Sequence, residues 1–212
     1  MDVQETYESL LKGYQQIVFD DLTPKLALYH SLYKKYEENN EVFLDKAGIF
    51  AYIIQSLEVD TLLLMAKLLD GKRSDRNIIK FIDFSDSNRL AINWKNGNIP
   101  AELSKKHKGL IAEQQATINR ITVRRDKFLA HSDKQYFLNR AKLDEDYPVS
   151  IDDLIGVVQC FQRILTDHSF GLMSGGRASY EGVFYIAVDN LLNKIMYPEH
   201  FKWPCANPDE TF

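Results

Sequence analysis

The amino-acid sequence predicts an all-α fold, and three observations support that prediction. Apolar residues recur at three- and four-residue intervals along most of the 212-residue chain, which is the spacing of one helix face. Glycine and proline fall mostly between these periodic segments. No stretch alternates apolar and polar side chains between turn signals, so little or no sheet is expected.

The periodic segments belong to one predicted domain. The sequence has no internal repeat, low-complexity tract or flexible linker, and 45% hydrophobic residues are enough for a continuous core. Residues 1–212 are therefore expected to form a single helical bundle. The predicted helices span about residues 3–20, 24–37, 41–70, 75–84, 100–140, 150–170 and 178–196.

Capping signals set two of the helix boundaries. Thr23 followed by Pro24 predicts an N-cap with proline in the first helical position, which would open the second helix. Ser150 and Asp153 resemble a capping box in which Asp replaces the usual Glu. A new helix is therefore expected to begin directly after Ser150.

The main loop is expected over residues 85–99. The pattern becomes polar there, and Asn96-Gly97 is a turn signal. Trp94 in this loop has two readings: it stacks on a nucleobase, or it folds back onto the core. Loop tryptophans more often do the second.

Charge and cysteine content favour a cytoplasmic protein. The formal net charge of −4 gives no global attraction to nucleic acid or anionic lipid. Cys160 and Cys205 are distant in sequence and form no CxxC motif, which is typical of a reducing compartment. The N-terminal stretch is acidic where an export signal is basic. The apolar run 47–69 contains two acids and a lysine, so we interpret it as a core helix and expect no membrane association.

No cofactor and no metal are expected. His200 and Cys205 provide only two metal ligands, and no other Cys or His cluster supports them. The glycines between 171 and 182 do not follow a strand, and no GxSxG nucleophile motif is present.

Basic residues are concentrated between Lys105 and Lys142. This stretch contains ten Lys or Arg residues against three acids, a net charge of +7. On an ideal helix, one face of it carries Arg120, Arg124, Lys127 and His131. Arg125 instead lines up with apolar positions, so its guanidinium needs a carboxylate, a subunit interface or a wet cleft beside it.

The segment RRDKFLAHSD, residues 124–133, resembles the HEPN superfamily motif of an Arg, a polar residue, a few further residues and a His. The upstream stretch FAYIIQSLEVDTLLLMAKLLD, residues 50–70, is similar to the HEPN branch of abortive-infection U-type (AbiU-like) proteins. The resemblance covers about residues 40–140 by pattern. It implies a HEPN-type bundle with its core at about residues 24–170 and flanking helices at both ends.

The resemblance implies a metal-independent endoribonuclease or toxin that acts in bacterial defence or stress. Arg125, His131 and Asp126 would be the catalytic residues, facing the same residues of a second copy across a homodimer interface. His131 would transfer protons, Arg125 would bind the phosphate, and Asp126 would orient one of them. The alternative is a noncatalytic HEPN module that binds RNA or a partner protein, and a third reading is a purely structural bundle.

Further expectations concern the surroundings of this motif. Arg120, Arg124 and Lys127 are candidate RNA contacts, although such residues more often form a solvated face. Asp60 is a candidate second carboxylate facing Arg125. Either arginine of the pair 124–125 fits the motif spacing, and we prefer Arg125 because it precedes a polar residue and lies on the less solvated face.

An antitoxin partner is left open by the sequence. HEPN toxins that pair with nucleotidyltransferase antitoxins usually carry a Tyr two residues after the motif His. Asp133 occupies that position here, which argues against this class of partner.

Overall fold

The computed structural model describes residues 2–38, 48–69, 77–130, 136, 139–172 and 181–197. Over these residues the fold is all-α apart from one small hairpin, as predicted. The helices are α1 Val3–Gln15, α2 Thr23–Glu38, α3 Ile49–Leu69, α4 Ile78–Ser87, α5 Ala101–Glu113, α6 Gln115–Arg124, α7 Arg140–Asp146, α8 Ile151–Gly171 and α9 Glu181–Met196. Two π-helical segments, Gln16–Leu22 and Arg125–Ala130, follow α1 and α6 directly.

Residues 3–38 run as one continuous helical stretch, so the predicted N-cap at Thr23 is wrong. Thr23 has helical backbone angles, φ −61° and ψ −49°, and its N–H donates to the carbonyl of Val18, five residues back. Its hydroxyl donates to the same carbonyl at 2.7 Å. Pro24 has no N–H and would crowd the carbonyl four residues before it in an α-helix. The wider π-helical turn accommodates that proline without ending the helix.

The core lies where α1, α2, α3, α4 and α8 meet. Its fully buried side chains include Tyr7, Leu22, Leu26, Met65, Phe81 and Phe161. Burying one such large apolar side chain stabilises the fold by about 1.5–3 kcal/mol. The apolar faces that the periodicity predicted therefore pack against one another.

Helix α3 is long and apolar enough to cross a membrane by length and composition, with a mean hydropathy of 1.5. It is the one such helix among the residues that the structure describes. Its second half is buried in the bundle, where Leu62, Met65 and Ala66 are at most 3% exposed. Asp60, midway along it, forms an ion pair with Lys25 of α2 at 2.7 Å. These contacts place the second half of α3 in the protein core.

The predicted 100–140 helix is interrupted. Gln114 leaves the helical conformation, with φ −94° and ψ 3°, and separates α5 from α6. After the second π-helical segment, the short helix α7 begins at its own N-cap, Asn139. The sequence pattern does not predict α7 as a separate element.

The predicted capping box at the start of α8 is confirmed. The Asp153 N–H donates to Ser150 Oγ at 3.0 Å, and the Ser150 N–H donates to Asp153 Oδ2 at 2.9 Å. Two backbone donors at the helix start are thereby satisfied, which is typically worth about 1 kcal/mol.

The loop between α4 and α5 contains a two-stranded hairpin, β1 Asn93–Trp94 and β2 Gly97–Asn98. Gly97 has a φ of 114°, a conformation that favours glycine, so the turn predicted at Asn96-Gly97 is confirmed. Trp94 folds back onto the core, where its indole N–H donates to the Tyr7 hydroxyl at 3.1 Å. Base stacking by Trp94 is therefore not available in this conformation.

Gly171 makes room for this indole. A Cβ at position 171 would lie 2.2–2.5 Å from ring atoms of Trp94, far inside van der Waals contact. The Gly171 carbonyl also accepts the N–H of Lys95 at 2.8 Å, which joins the hairpin to the end of α8. The hairpin is therefore held against α8 by a close approach that only glycine permits.

We predict that Gly171→Ala lowers the free energy of unfolding by about 1–3 kcal/mol, because the ring or the helix end must move. Gly109→Ala in α5 is the matched control, since nothing lies within 4 Å of a Cβ there. That change should stabilise the protein by up to about 1 kcal/mol. Urea titration of both variants measures the difference, and equal stabilities would contradict the prediction.

Candidate functional site

The motif segment begins in the second π-helical segment. Arg125–Ala130 continues the axis of α6, but its backbone hydrogen bonds reach one residue further back than in an α-helix. Single π-helical turns inside longer helices occur frequently at functional sites. His131, the predicted proton-transfer residue, lies outside the described residues.

Arg125 and Asp126 form a close pair within this segment. Asp126 Oδ1 accepts from Arg125 Nε at 2.8 Å and lies 2.7 Å from Nη2. The Arg125 side chain is 14% exposed and the Asp126 side chain 41% exposed. Asp126 therefore restrains the orientation of the Arg125 guanidinium, while its predicted catalytic role stays a prediction.

Arg124 is held differently, in a cluster of three oxygen acceptors. Its Nη2 lies 2.6 Å from Asp144 Oδ1 and 3.4 Å from Glu58 Oε1. Its Nη1 donates to the Tyr147 carbonyl at 3.1 Å. Only 6% of the side chain is exposed, and its Nε is buried without a hydrogen-bond partner among the described residues.

The preference for Arg125 as the less solvated arginine does not agree with this geometry, since Arg124 is the more buried of the two. The helical wheel placed Arg124 on a solvated face with Arg120. That face is covered by Glu58 from α3 and by Asp144 and its neighbours from the segment after the motif. A helical wheel contains no information about such distant elements.

Arg120 is also paired with a carboxylate. Its Nη2 donates to Asp153 Oδ1 and to Thr117 Oγ1, both at 3.0 Å. Burial raises the pKa of Asp153, but the hydrogen bonds from Ser150 and Thr117 and the charge of Arg120 together lower it below its usual value. The Asp153 carboxylate is therefore ionised at neutral pH and balances Arg120.

Two lysines of the basic stretch are also paired with carboxylates, and a third contacts an aromatic ring. Lys106 pairs with Asp167 at 2.6 Å, and Lys108 pairs with Asp83 at 2.7 Å. The ammonium of Lys127 lies 5.5 Å from the centre of the Tyr136 ring, a cation–π contact. Much of the +7 charge seen in sequence is thus matched by acids that other elements bring to it.

The carboxylate that α3 contributes to the arginine cluster is Glu58. Asp60, the predicted one, pairs with Lys25 at 2.7 Å. The two acids are two residues apart, so they point to different sides of the helix. The observed contact between an acid of α3 and a motif arginine is thus Glu58 with Arg124, not the predicted Asp60 with Arg125.

A cavity of about 600 Å³ opens beside Arg124. Arg124, Glu58 and Asp144 form part of its wall, and α2 contributes Tyr29 and Tyr33. Residues 148–152, which lead into α8, complete it. A volume of this size is typical of small-molecule and nucleotide pockets.

A second polar cluster, which the sequence analysis missed, is buried at the other end of α8. The Tyr7 hydroxyl lies 2.8 Å from His168 Nδ1, and His107 Nε2 lies 3.0 Å from Asp167 Oδ2. Tyr7, His107 and His168 are each at most 1% exposed. One signal was available, because His168 continues the apolar stripe of Phe161, Ile164 and Leu165.

Burial keeps both histidines of this cluster neutral. It lowers the pKa of His168 to about 3, with a further lowering from the nearby His107. Burial also lowers the pKa of His107, against the opposing effect of Asp167. Since Tyr7 accepts the Trp94 N–H, its own proton is free to go to His168 Nδ1, which is the neutral arrangement.

Comparison with known families identifies the protein class. The family model described as AbiU2, a HEPN family, matches residues 3–186. The chain belongs to the HEPN AbiU2 family. The match extends the resemblance seen around the motif to most of the chain, including α1 and part of α9. No curated protein and no solved structure matches the chain.

We predict that this AbiU2-family protein loses stability in mild acid. The pKa of His168 in the folded protein is below the ordinary value of about 6.5. The neutral side chain's contribution to the free energy of unfolding is therefore complete above pH 6.5 and decreases as the pH falls towards 3. Between pH 7 and pH 5, protonation of this histidine in the unfolded state should lower the free energy of unfolding by about 2 kcal/mol. Urea titrations at both pH values should show a smaller loss for His168→Gln, and an equal loss would refute the assignment.

A second prediction separates the two motif arginines. Arg124→Ala should lower the free energy of unfolding by about 2 kcal/mol, because Glu58 and Asp144 are left without their counter-charge. The figure lies below that of a fully buried pair because Asp144 is 54% exposed. Arg125→Ala should cost less than Arg124→Ala, and Arg120→Ala, with a 32% exposed side chain, less than about 1 kcal/mol. Chemical denaturation of the three variants checks this order.

Proposed function

We propose that the protein is a homodimeric, metal-independent endoribonuclease of the abortive-infection type, which acts in the cytoplasm in bacterial defence or stress. Membership of the HEPN AbiU2 family supports the class. The observation that carries the catalytic part is the Arg125–Asp126 pair, which fixes a permanently charged guanidinium six residues before His131.

In the proposed reaction, the ribose 2′-oxygen attacks the adjacent phosphorus and the bond from phosphorus to the 5′-oxygen breaks. A base takes the proton of the 2′-hydroxyl, and an acid gives a proton to the leaving 5′-oxygen. His131 performs one of these transfers, since imidazole exchanges protons near neutral pH. Arg125 donates hydrogen bonds to the phosphate oxygens as negative charge develops on them.

A second copy of the chain is part of this proposal. One His131 supplies one proton transfer, and the His131 of the second copy supplies the other. RNA is the proposed substrate, and an antitoxin protein is a proposed regulator of a class other than the nucleotidyltransferases. The proposed RNA contacts Arg120 and Arg124 are already paired with carboxylates, so a phosphate has to displace Asp153 or Asp144 to reach them.

A noncatalytic RNA-binding module is the second candidate. The observation that favours it is the neutralisation of Arg124 by Glu58 and Asp144, which removes one motif arginine from phosphate chemistry. In that case the cavity beside Arg124 serves for binding alone.

The test is digestion of a diverse RNA pool by purified protein in EDTA, with mapping of the new 3′ ends. We expect 2′,3′-cyclic phosphate ends from the wild type and a loss of at least about a hundredfold in rate for His131→Ala and Arg125→Ala. Arg163→Ala, on the exposed side of α8, is the control and should cleave like the wild type. Light scattering of the same samples reports the oligomeric state.

RNA binding without any cleavage by a folded dimer would favour the noncatalytic module. Cleavage that persists in both motif variants would show that other residues perform the chemistry. A monomer that cleaves at the wild-type rate would contradict the role of the second copy.

A further inference from the structure

The cavity beside Arg124 has an unusual charge for a site in an RNA-directed protein. Arg124 on its wall is already neutralised by Glu58 and Asp144. The remaining charged groups include Glu37 and Asp152, against the exposed Lys34. Carboxylates therefore outnumber cations in the cavity, and a phosphate group that enters it meets net repulsion.

The α2 side of the cavity is aromatic. Tyr29 and Tyr33 lie on successive turns of α2, with ring centres 6.0 Å apart in an edge-to-face arrangement. Tyr29 is 7% exposed, whereas Tyr33 is only partly buried and presents more of its surface to the cavity. An accessible tyrosine ring at a cavity wall offers a face on which a planar group can stack.

The phenol of Tyr33 connects this aromatic wall with the acids. Burial raises the pKa of Tyr33, and so do its hydrogen bond to Glu37 and the charges of Glu37 and Glu58. A stacking ring and a carboxylate acceptor are thus placed side by side at the same wall. The ligand that suits both is planar, uncharged and rich in hydrogen-bond donors.

We propose that this cavity binds an unstacked guanine base of single-stranded RNA, with Tyr33 as the stacking surface and Glu37 as the acceptor for its Watson–Crick edge. The proposal deepens the RNA-directed function and rests on it. Guanine presents two adjacent donors, N1–H and the 2-amino group, which match the two oxygens of one carboxylate. Lys34, exposed at the cavity wall, is placed to meet a flanking phosphate outside the acidic interior.

Uracil fits this arrangement less well than guanine. Uracil has one ring N–H between two carbonyl acceptors, so it offers a carboxylate a single donor and two repulsive oxygens. A bidentate contact to a base edge typically discriminates by about 1–3 kcal/mol, which corresponds to roughly tenfold or more in affinity. The cavity should therefore prefer guanine to uracil by at least about tenfold.

The experiment is titration of the full chain with guanosine, uridine and inorganic phosphate. Binding is measured by calorimetry and by the NMR chemical shifts of the tyrosine side chains. We expect guanosine to bind at least about tenfold more tightly than uridine, and phosphate not to compete with it. Tyr33→Ala should weaken guanosine binding about tenfold or more through loss of stacking. Glu37→Gln should reduce the preference for guanosine over uridine.

Two matched controls accompany these variants. Tyr52→Ala removes a tyrosine that is 74% exposed on α3 and does not line this cavity, and Glu113→Gln neutralises an exposed acid at the end of α5. Both should bind guanosine as the wild type does. Tyr33→Phe keeps the aromatic ring and should still bind guanosine by stacking. It therefore tests the role of the ring even if Tyr33→Ala fails to fold.

Three outcomes would overturn the proposal: no guanosine binding, equal affinity for uridine, or binding of phosphate that Glu37→Gln strengthens. Binding of an arginine-rich peptide together with no binding of guanosine would overturn it and identify a protein-docking site. RNA digestion distinguishes these failures from failure of the ribonuclease proposal. If the protein cleaves RNA but binds no guanosine, the ribonuclease proposal stands and the guanine site is wrong. If it binds guanosine but does not cleave RNA, the guanine site stands and the ribonuclease proposal is wrong.

Discussion

Arg124 carries a permanent positive charge, yet only 6% of its side chain is exposed to water. The surrounding elements provide the oxygen acceptors that balance this charge. A buried guanidinium without partners costs several kcal/mol, so its donors must be satisfied by oxygens from elsewhere in the chain. Glu58 brings α3 to α6, while Asp144 and the Tyr147 carbonyl fix the segment between the motif and α8. The position of the motif helix, and therefore of Arg125 beside it, depends on this cluster.

The two π-helical segments share a geometry but have different structural roles. The first admits Pro24 into a helix that would otherwise end, and so keeps residues 3–38 as one long support for α3, α8 and α9. The second begins at Arg125, where a change in residues per turn rotates the side chains that follow relative to those of α6. The two adjacent arginines, which any helix would point in different directions, have different environments. Arg124 is enclosed by Glu58 of α3 and Asp144 of α7, and Arg125 pairs with its neighbour Asp126.

The sequence predicted the helical class, most helix positions, the capping box at Ser150 and the hairpin turn, because periodicity, caps and turns are local properties. Its errors occur where a distant contact overrides a local preference. Thr23 and Pro24 have the composition of a helix start, but packing of a continuous helix outweighs it. The choice between Glu58 and Asp60, and the burial of Arg124, depend on which elements meet in space. Periodicity alone does not encode that, and the role of His131 remains a prediction.

Charge balance has a further consequence for how RNA would be recognised. A protein that binds RNA through many free lysines and arginines releases many counterions, and its affinity is high, unspecific and strongly salt-dependent. Among the described residues of the basic stretch 105–142, four cations are paired with acids of other elements, Asp83, Asp144, Asp153 and Asp167, so these four contribute less to counterion release. In the proposed RNA complex, contacts to bases would then supply a larger share of the affinity, and such contacts carry sequence information. In the proposals made above, the acidic, aromatic cavity beside Arg124 would select the RNA through base contacts, and Arg125 would position a phosphate for the reaction.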